Sequence, residues 1–287
     1  MKPSRPVMRY HGGKWQLAEW IIGHFPPHRS YCEPFGGAGS VLLRKARAHQ
    51  ECWNDLNGEI VNVFRVLRDP IAAVELERLV RMTPFARAEF EATYAESDEP
   101  IERARKTIAR SFMGFGSASA NHQHATGFRA KSNRSGTTPA QDWRNWPAEI
   151  SRFTERFTGV VIESRPALEV IQQQDEPNTL FYIDPPYPWS TRGNHNGVRQ
   201  KYRHEMSDED HHALAEVLHQ ISGMAVLSGY PCDLYDLELY GDWHRVQKET
   251  YADGARPRTE VIWVNPAAWR ALKASQAQTC LLDMAAT

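Results

Sequence analysis

The 287-residue chain has only four cysteines, Cys32, Cys52, Cys232 and Cys280, and no two of them have the C-x-x-C spacing of a redox dithiol or a zinc clasp. Scattered thiols in a chain this size indicate reduced cysteines and an intracellular, cytoplasmic setting without a disulfide framework. Long apolar runs are missing, so no segment is expected to cross a bilayer. The basic, proline-containing stretch 1–6 has no apolar region behind it and does not read as a secretory leader. Neither sign of charge prevails: 34 Lys and Arg against 35 Asp and Glu leave a net −1, and the whole chain carries no polyanion signature. The dinucleotide fingerprint G-x-G-x-x-G is absent as well, which argues against a pyrophosphate-bridged ligand.

What is present is a composition that can bury a core, with 41% hydrophobic and 24% charged residues. Short apolar, β-branched or aromatic runs ending in turn formers predict strands at 159–163, 180–184 and 224–228, with weaker ones at 30–33 and 51–54. Near the C-terminus, 244–251 and 260–264 flank a polar 252–258 loop and read as a β-hairpin. Helical spacing predicts helices over 40–48, 58–67, 166–173 and 208–221, the last opened by Ser207-Asp-Glu-Asp210, a variant capping box. Strands alternating with helices imply an α/β fold with a mostly parallel sheet covered on both faces. That alternation stops over 69–156, which predicts a mainly helical insert. The charge is also uneven there: from Arg103 to Arg144 eight basic residues face the single acid Asp142, a local +7 inside a chain of −1. The expected organisation is a catalytic domain of 1–68 and 157–287 and a basic insert of 69–156.

The most informative motif is Asp184-Pro-Pro-Tyr187, at the end of an apolar strand where open α/β sheets place their ligands. An exocyclic amino nitrogen on a base is a poor nucleophile because its lone pair is delocalised into the ring. Two acceptors aimed at its two N–H bonds draw it toward tetrahedral geometry and free that lone pair. Asp184 supplies one acceptor and the backbone carbonyl of Pro185 the other. Pro185 and Pro186 fix φ and bring no competing N–H. Tyr187 offers a flat face for an extruded base. Glu33-Pro-Phe-Gly-Gly-Ala-Gly-Ser40 is a second strand–turn–helix junction whose glycines admit close approach of a ligand. Asp55 lies 18 residues beyond Gly37, at the next strand tip, where ribose hydroxyls are held in related folds. Glu163 ends a further strand. Either acid could equally be a solvated strand-end residue or a helix cap. Tyr10-His-Gly-Gly-Lys14 is by itself an ordinary turn.

Taken together and in this order, Lys14, Phe35-Gly-Gly-Ala-Gly39, the basic insert and Asp184-Pro-Pro-Tyr187 resemble the Dam-type adenine-N6 DNA methyltransferases of bacteria and phages, in their alpha motif order. Asn54-Asp-Leu-Asn57 is similar to that family's ribose-binding motif and Arg258-Thr-Glu-Val-Ile-Trp263 to its closing strand, so the likeness runs from Arg9 to Pro266. The resemblance is greatest to phage or prophage members. It implies a Rossmann-like S-adenosylmethionine-dependent methyltransferase sheet with a C-terminal antiparallel hairpin and a helical DNA-recognition insert. It also implies S-adenosylmethionine contacts from Tyr10, Lys14, the turn of Pro34, Phe35, Gly36, Gly37 and Gly39, Asp55, Glu163 and Asp184, with Asp184 to Tyr187 holding a flipped adenine in duplex DNA. Tyr10 stands where many members have tryptophan. Ser164 follows Glu163 where relatives often carry asparagine or phenylalanine. The insert has no motif that aligns residue by residue; Arg129, Lys131 and Arg134 are its candidate DNA contacts.

Other functions fit the residues less well. Cytosine-N4 methylation uses the same chemistry, but its first motif residue is usually serine. Glutamine methylation tends to have asparagine before the diproline, and a decayed DNA-binding relative would not retain Asp184, Tyr187 and Gly39 together. His211 and His212 follow three acids, yet adjacent helix positions point apart and the capping role accounts for the acids, so no metal is expected. Trp143 and Trp146 read as core residues rather than DNA contacts, and the polar 190–201 run as a loop over the substrate site.

Overall fold

The computed structural model of the chain describes residues 2–116, 126–131, 136–191, 203–252 and 256–285. Two strands, β4 (Thr179–Ile183) and β5 (Met224–Gly229) in chain order, are buried along their whole length, the pattern of a sheet covered on both faces. The others are β1 (Ser30–Glu33), β2 (Gln50–Asn54), β3 (Val160–Glu163), β6 (His244–Ala252) and β7 (Arg256–Val264). Among the described residues these seven form one sheet in the order β3-β2-β1-β4-β5-β7-β6. Strands β3 to β5 in that order are mutually parallel, and β7 lies antiparallel to both β5 and β6. Pairing between β6 and β7 continues to Ala252↔Arg256, so positions 256–258, expected in a loop, are strand.

The period of two along each strand sorts side chains onto two faces. Tyr31, Trp53, Tyr182, Val226 and Ile262 enter one core, and Cys32, Cys52, Phe181, Ile183, Leu227 and Trp263 enter the other. The second core is closed by α9 (Ala167–Gln174) and α10 (Asp208–Gln220), through Val170, Ile171, Leu214 and Leu218. Ser207 and Asp210 form the expected reciprocal capping box at the start of α10. The first core is closed by α3 (Gly58–Arg68), whose Ile60, Val63, Phe64 and Leu67 recur at helical spacing and are fully buried.

Segment 69–156 holds α4 (Pro70–Met82), α5 (Arg87–Ala92), α6 (Pro100–Met113), α7 (Pro139–Asn145) and all but the last residue of α8 (Ile150–Phe157), with no strand among its described residues. Leu76, Ile108, Trp143, Trp146 and Phe153 bury into the same core as Trp53 and Phe64 of the sheet side. Both tryptophans are therefore core residues, and the Trp143 indole donates to the Thr83 carbonyl at 2.8 Å. The return from α8 to the sheet is pinned by a buried charge cluster. Arg156 donates to Glu51 at 2.5 and 3.0 Å, and Lys45 donates to the same carboxylate at 2.8 Å. That inward turn of Lys45 also explains why α2 (Ser40–Arg44) stops short of position 48: the residue leaves helical geometry at ψ 161°.

Candidate active site

The sheet order reverses between β1 and β4, the switch point at which such sheets leave a crevice beyond the strands' carboxyl ends. A cavity of about 330 Å³ fills it, bordered by Tyr10, Lys14, the Pro34–Gly37 turn, Asp55, Asp184 and Pro186. The turn is glycine by necessity. A Cβ at Gly36 would stand 2.1 Å from the buried Trp53 indole, and Gly37 sits at φ +47° with Tyr10 against it. Gly39 caps α2 and Glu163 closes β3 opposite Asn54; neither borders the cavity.

Asp55 is tied into this turn from both oxygens. Gly37 N–H donates to Oδ2 at 2.8 Å and Asn57 N–H to Oδ1 at 2.7 Å. Burial pushes its carboxyl up, and the two amides oppose that. Asp55 therefore shapes the glycine turn as well as facing the cavity, a role its strand-tip position alone did not reveal. Asn54 clamps the same region, donating to the carbonyls of Pro34 and Arg165 at 2.8 and 3.0 Å.

Across the cavity, Lys14 Nζ pairs with Asp184 Oδ2 at 3.0 Å and donates to the Gly12 carbonyl at 2.7 Å. The other oxygen, Asp184 Oδ1, is buried and has no hydrogen-bond partner among the described residues. Burial raises the Asp184 carboxyl, while the Lys14 charge and the nearby Lys14 and Tyr187 donors hold it down. Tyr187 lies beside rather than on the cavity border, 8% exposed, with Lys14 Nζ 5.0 Å from its ring centre.

Three acids were not assigned from the sequence or were assigned incompletely. Glu33, the first residue of the glycine motif, borders the cavity and is 2% exposed; Tyr31 donates to it at 2.7 Å, and burial pushes its carboxyl up to about 7. Glu260, within the closing strand, receives the Tyr187 hydroxyl. Glu59, near the start of α3, receives Arg103 of the basic run at 3.2 Å. An acid embedded in an otherwise apolar strand was the available signal for the first two.

The basic run divides in two. On α6, Arg105 pairs with Glu102 at 2.6 Å, and the buried Arg110 donates to the Thr93 carbonyl at 2.8 Å. Beyond α6, Arg129 is half-buried and Lys131 exposed, while Arg134 lies outside the described residues. His211 is buried against Tyr235, 2.9 Å from its hydroxyl, and no group of acids, histidines and cysteines that could hold a metal occurs among the described residues. No helix there is long and apolar enough to cross a membrane.

A mixed α/β fold with a seven-stranded sheet, its cavity at the switch point and an Asp-Pro-Pro-Tyr rim, is consistent with a Rossmann-like methyltransferase. The chain belongs to the D12 class N6 adenine-specific DNA methyltransferases, whose family model matches residues 10–249. It is 25% identical to the DNA adenine methylase of Escherichia coli (strain K12) over 203 residues, 68% of this chain and 69% of that one. It is 37% identical to the DNA adenine methylase of Vibrio cholerae serotype O1 (strain ATCC 39541 / Classical Ogawa 395 / O395) over 68 residues, 24% of each chain. A match of 68 residues also relates it to the Serratia marcescens DNA adenine methylase, at 32% identity and 24% of this chain and 25% of that one. The chain thus spans about a quarter of the length of the Vibrio and Serratia relatives and about two thirds of the Escherichia one.

Proposed function

We propose that the chain methylates the N6 amino group of adenine in duplex DNA, with S-adenosylmethionine as methyl donor and the target base turned out of the helix. The observation that carries this reading is the divided state of Asp184: one oxygen held by Lys14, the other buried beside the cavity without a donor. Leaving a buried acceptor unmet costs about 1–3 kcal/mol, so the site favours a ligand that brings an N–H to that oxygen. An exocyclic amino group does so. With the Pro185 carbonyl as second acceptor, both N–H bonds are engaged and the nitrogen lone pair is directed out of the ring plane. Lys14 favours the ionised form of Asp184 against the burial that raises its carboxyl, and holds it in orientation.

The cavity suits the donor on two counts. Its glycine turn admits close approach, and Glu33, Asp55 and Asp184 present carboxyl groups to a ligand that is cationic at sulfur and at its amino terminus. When bound, S-adenosylmethionine supplies an electrophilic methyl group. Tyr10, Lys14 and the 34–37 turn would hold it, with Asp55 toward its adenosine; Glu163 does not border the cavity and takes no part. Segment 69–156 is the DNA-recognition insert in this reading, with Arg129, Lys131 and Arg134 on phosphates. The test is mass spectrometry of nucleosides from duplex DNA incubated with protein and S-adenosylmethionine. N6-methyladenine as the sole new product is expected; N4-methylcytosine, or no methylated base, would overturn the assignment.

A further inference from the structure

The ends of two strands and the middle of a third meet around Tyr187. It follows β4 by four positions, Tyr230 directly follows β5, and Glu260 lies on β7 next to Val261, the partner of Gly229. The Tyr187 hydroxyl donates to Glu260 Oε2 at 3.3 Å. The Tyr230 ring stands edge-on to Tyr187 at 4.7 Å and 82°. Tyr230 is itself fixed by Arg258, which donates to its hydroxyl at 2.7 Å.

Glu260 is unusual in its strand. The residues after it, Val261, Ile262, Trp263 and Val264, are almost completely buried and apolar, and Glu260 is itself only 8% exposed. A buried carboxyl is costly unless it has partners, and those facing it are Lys14, Tyr187 and Arg258, with Asp184 opposing. All of them belong to the rim of the proposed site or brace it. Glu260 also lies outside residues 10–249, the span matched by the family. A tether at the phenol oxygen fixes the axis of the Tyr187 ring, and Tyr230 and Lys14 restrict rotation about that axis.

We propose that Glu260 is a positioning residue: by accepting the Tyr187 hydroxyl it sets the plane against which the extruded base packs. The inference rests on the base-methylation reading above. It makes the closing strand β7 part of the substrate site and not only an edge of the sheet.

The tether is tested by placing 3-fluorotyrosine at position 187 of the full chain and recording its 19F resonance. The E260A variant should shift the line and sharpen it as the ring gains freedom. E260Q, whose amide carbonyl still accepts the hydroxyl, should fall between E260A and the parent. An E260A line that coincides with the parent's overturns the proposal whatever the activity. Single-turnover methyl transfer to duplex DNA supplies the functional arm. E260A should slow it roughly tenfold, the loss of one hydrogen bond to a buried carboxyl, and E260Q by less. In a Y187F background E260A should add no further loss, since the bond is already gone. Additive losses would mean that Glu260 acts through something other than Tyr187. A parent that transfers no methyl group to any base would instead remove the functional reading, while the 19F comparison still decides the tether.

Discussion

Asp184 has two duties that a single substitution confounds. Its Oδ2 neutralises the buried Lys14, and its Oδ1 awaits a donor. Asp184→Ala should lower the methyl-transfer rate at least about 100-fold, as loss of a preorganised polar group does. It should also destabilise the fold by about 3 kcal/mol, because a buried ammonium loses its carboxylate, although it still donates to the Gly12 carbonyl. Asp184→Asn retains a carbonyl for Lys14, so it should lose the chemistry and keep more of the stability. Single-turnover rates and urea denaturation of the parent and both variants separate the two duties; variants as stable as the parent would mean that the ion pair contributes little. Glu33 makes a pH prediction. Burial pushes its carboxyl from 4.5 up to about 7, so between those values the folded chain binds a proton that the unfolded chain releases. Stability attributable to this group is complete below about pH 4.5 and is lost as pH rises through 7. Glu33→Gln keeps an acceptor for Tyr31 and does not titrate. Its stability relative to the parent should therefore improve by about 3 kcal/mol between pH 4.5 and 8. Denaturant unfolding across that range checks it, and a constant difference between variant and parent would refute it.

At the scale of elements, the glycine turn between β1 and α2 is held by its neighbours more than by its own flexibility. A Cβ on Gly36 would meet the Trp53 ring at 2.1, 2.4 and 2.5 Å, and the indole is fully buried. Gly36→Ala should destabilise the chain by about 2 kcal/mol or more and weaken cofactor binding with it. Gly58→Ala, at the start of α3 with no atom within 4 Å of the added carbon, should change stability by less than about 1 kcal/mol. Thermal denaturation distinguishes them, and similar losses for both would deny the Trp53 contact its role. The core strands and the motif junctions were legible in the sequence because each depends on local pattern. Phe181, Ile183 and Leu227 announce a buried strand without knowledge of their partners, and Ser207 with Asp210 announces a cap. What was not legible depends on residues far apart in the chain. Nothing local to Asp55 says that it accepts from Gly37, and nothing near Tyr187 points to Glu260, 73 positions on. The expected α2 was too long for the same reason: its last residue is followed by Lys45, which is extended and paired with Glu51 on the next strand.

For the whole molecule, the question is how much of the +7 between Arg103 and Arg144 is available to DNA. The count overstates it, because much of the charge on α6 is already answered within the fold. Arg103 meets Glu59 at 3.2 Å, Arg105 meets Glu102 at 2.6 Å, and Arg110 is 1% exposed with its guanidinium on the Thr93 carbonyl. Arg103 thereby ties α6 to α3 and Arg110 ties it to the segment after α5, while Arg105 also donates to the Thr83 hydroxyl after α4 at 3.0 Å. Neutralising Arg105 or Arg110 should therefore appear as reduced stability, while the salt dependence of DNA binding stays near that of the parent. Arg129 and Lys131 follow α6 on a stretch where Lys131 is exposed, and Arg134 continues the run in sequence. Replacing these three together should weaken DNA binding and flatten its salt dependence, by about 0.9 in the log–log slope for each duplex phosphate no longer neutralised. Cofactor affinity, measured by calorimetry without DNA, should remain at the parent value, because Arg129 and Lys131 do not border the cavity; Arg134 lies outside the described residues. A salt titration of binding to one duplex, run for both sets of variants, checks the division. An unchanged slope in the triple variant beside a flattened one in Arg105→Ala would reverse it, placing the DNA-binding charge on α6 and leaving 129–134 as solvated surface.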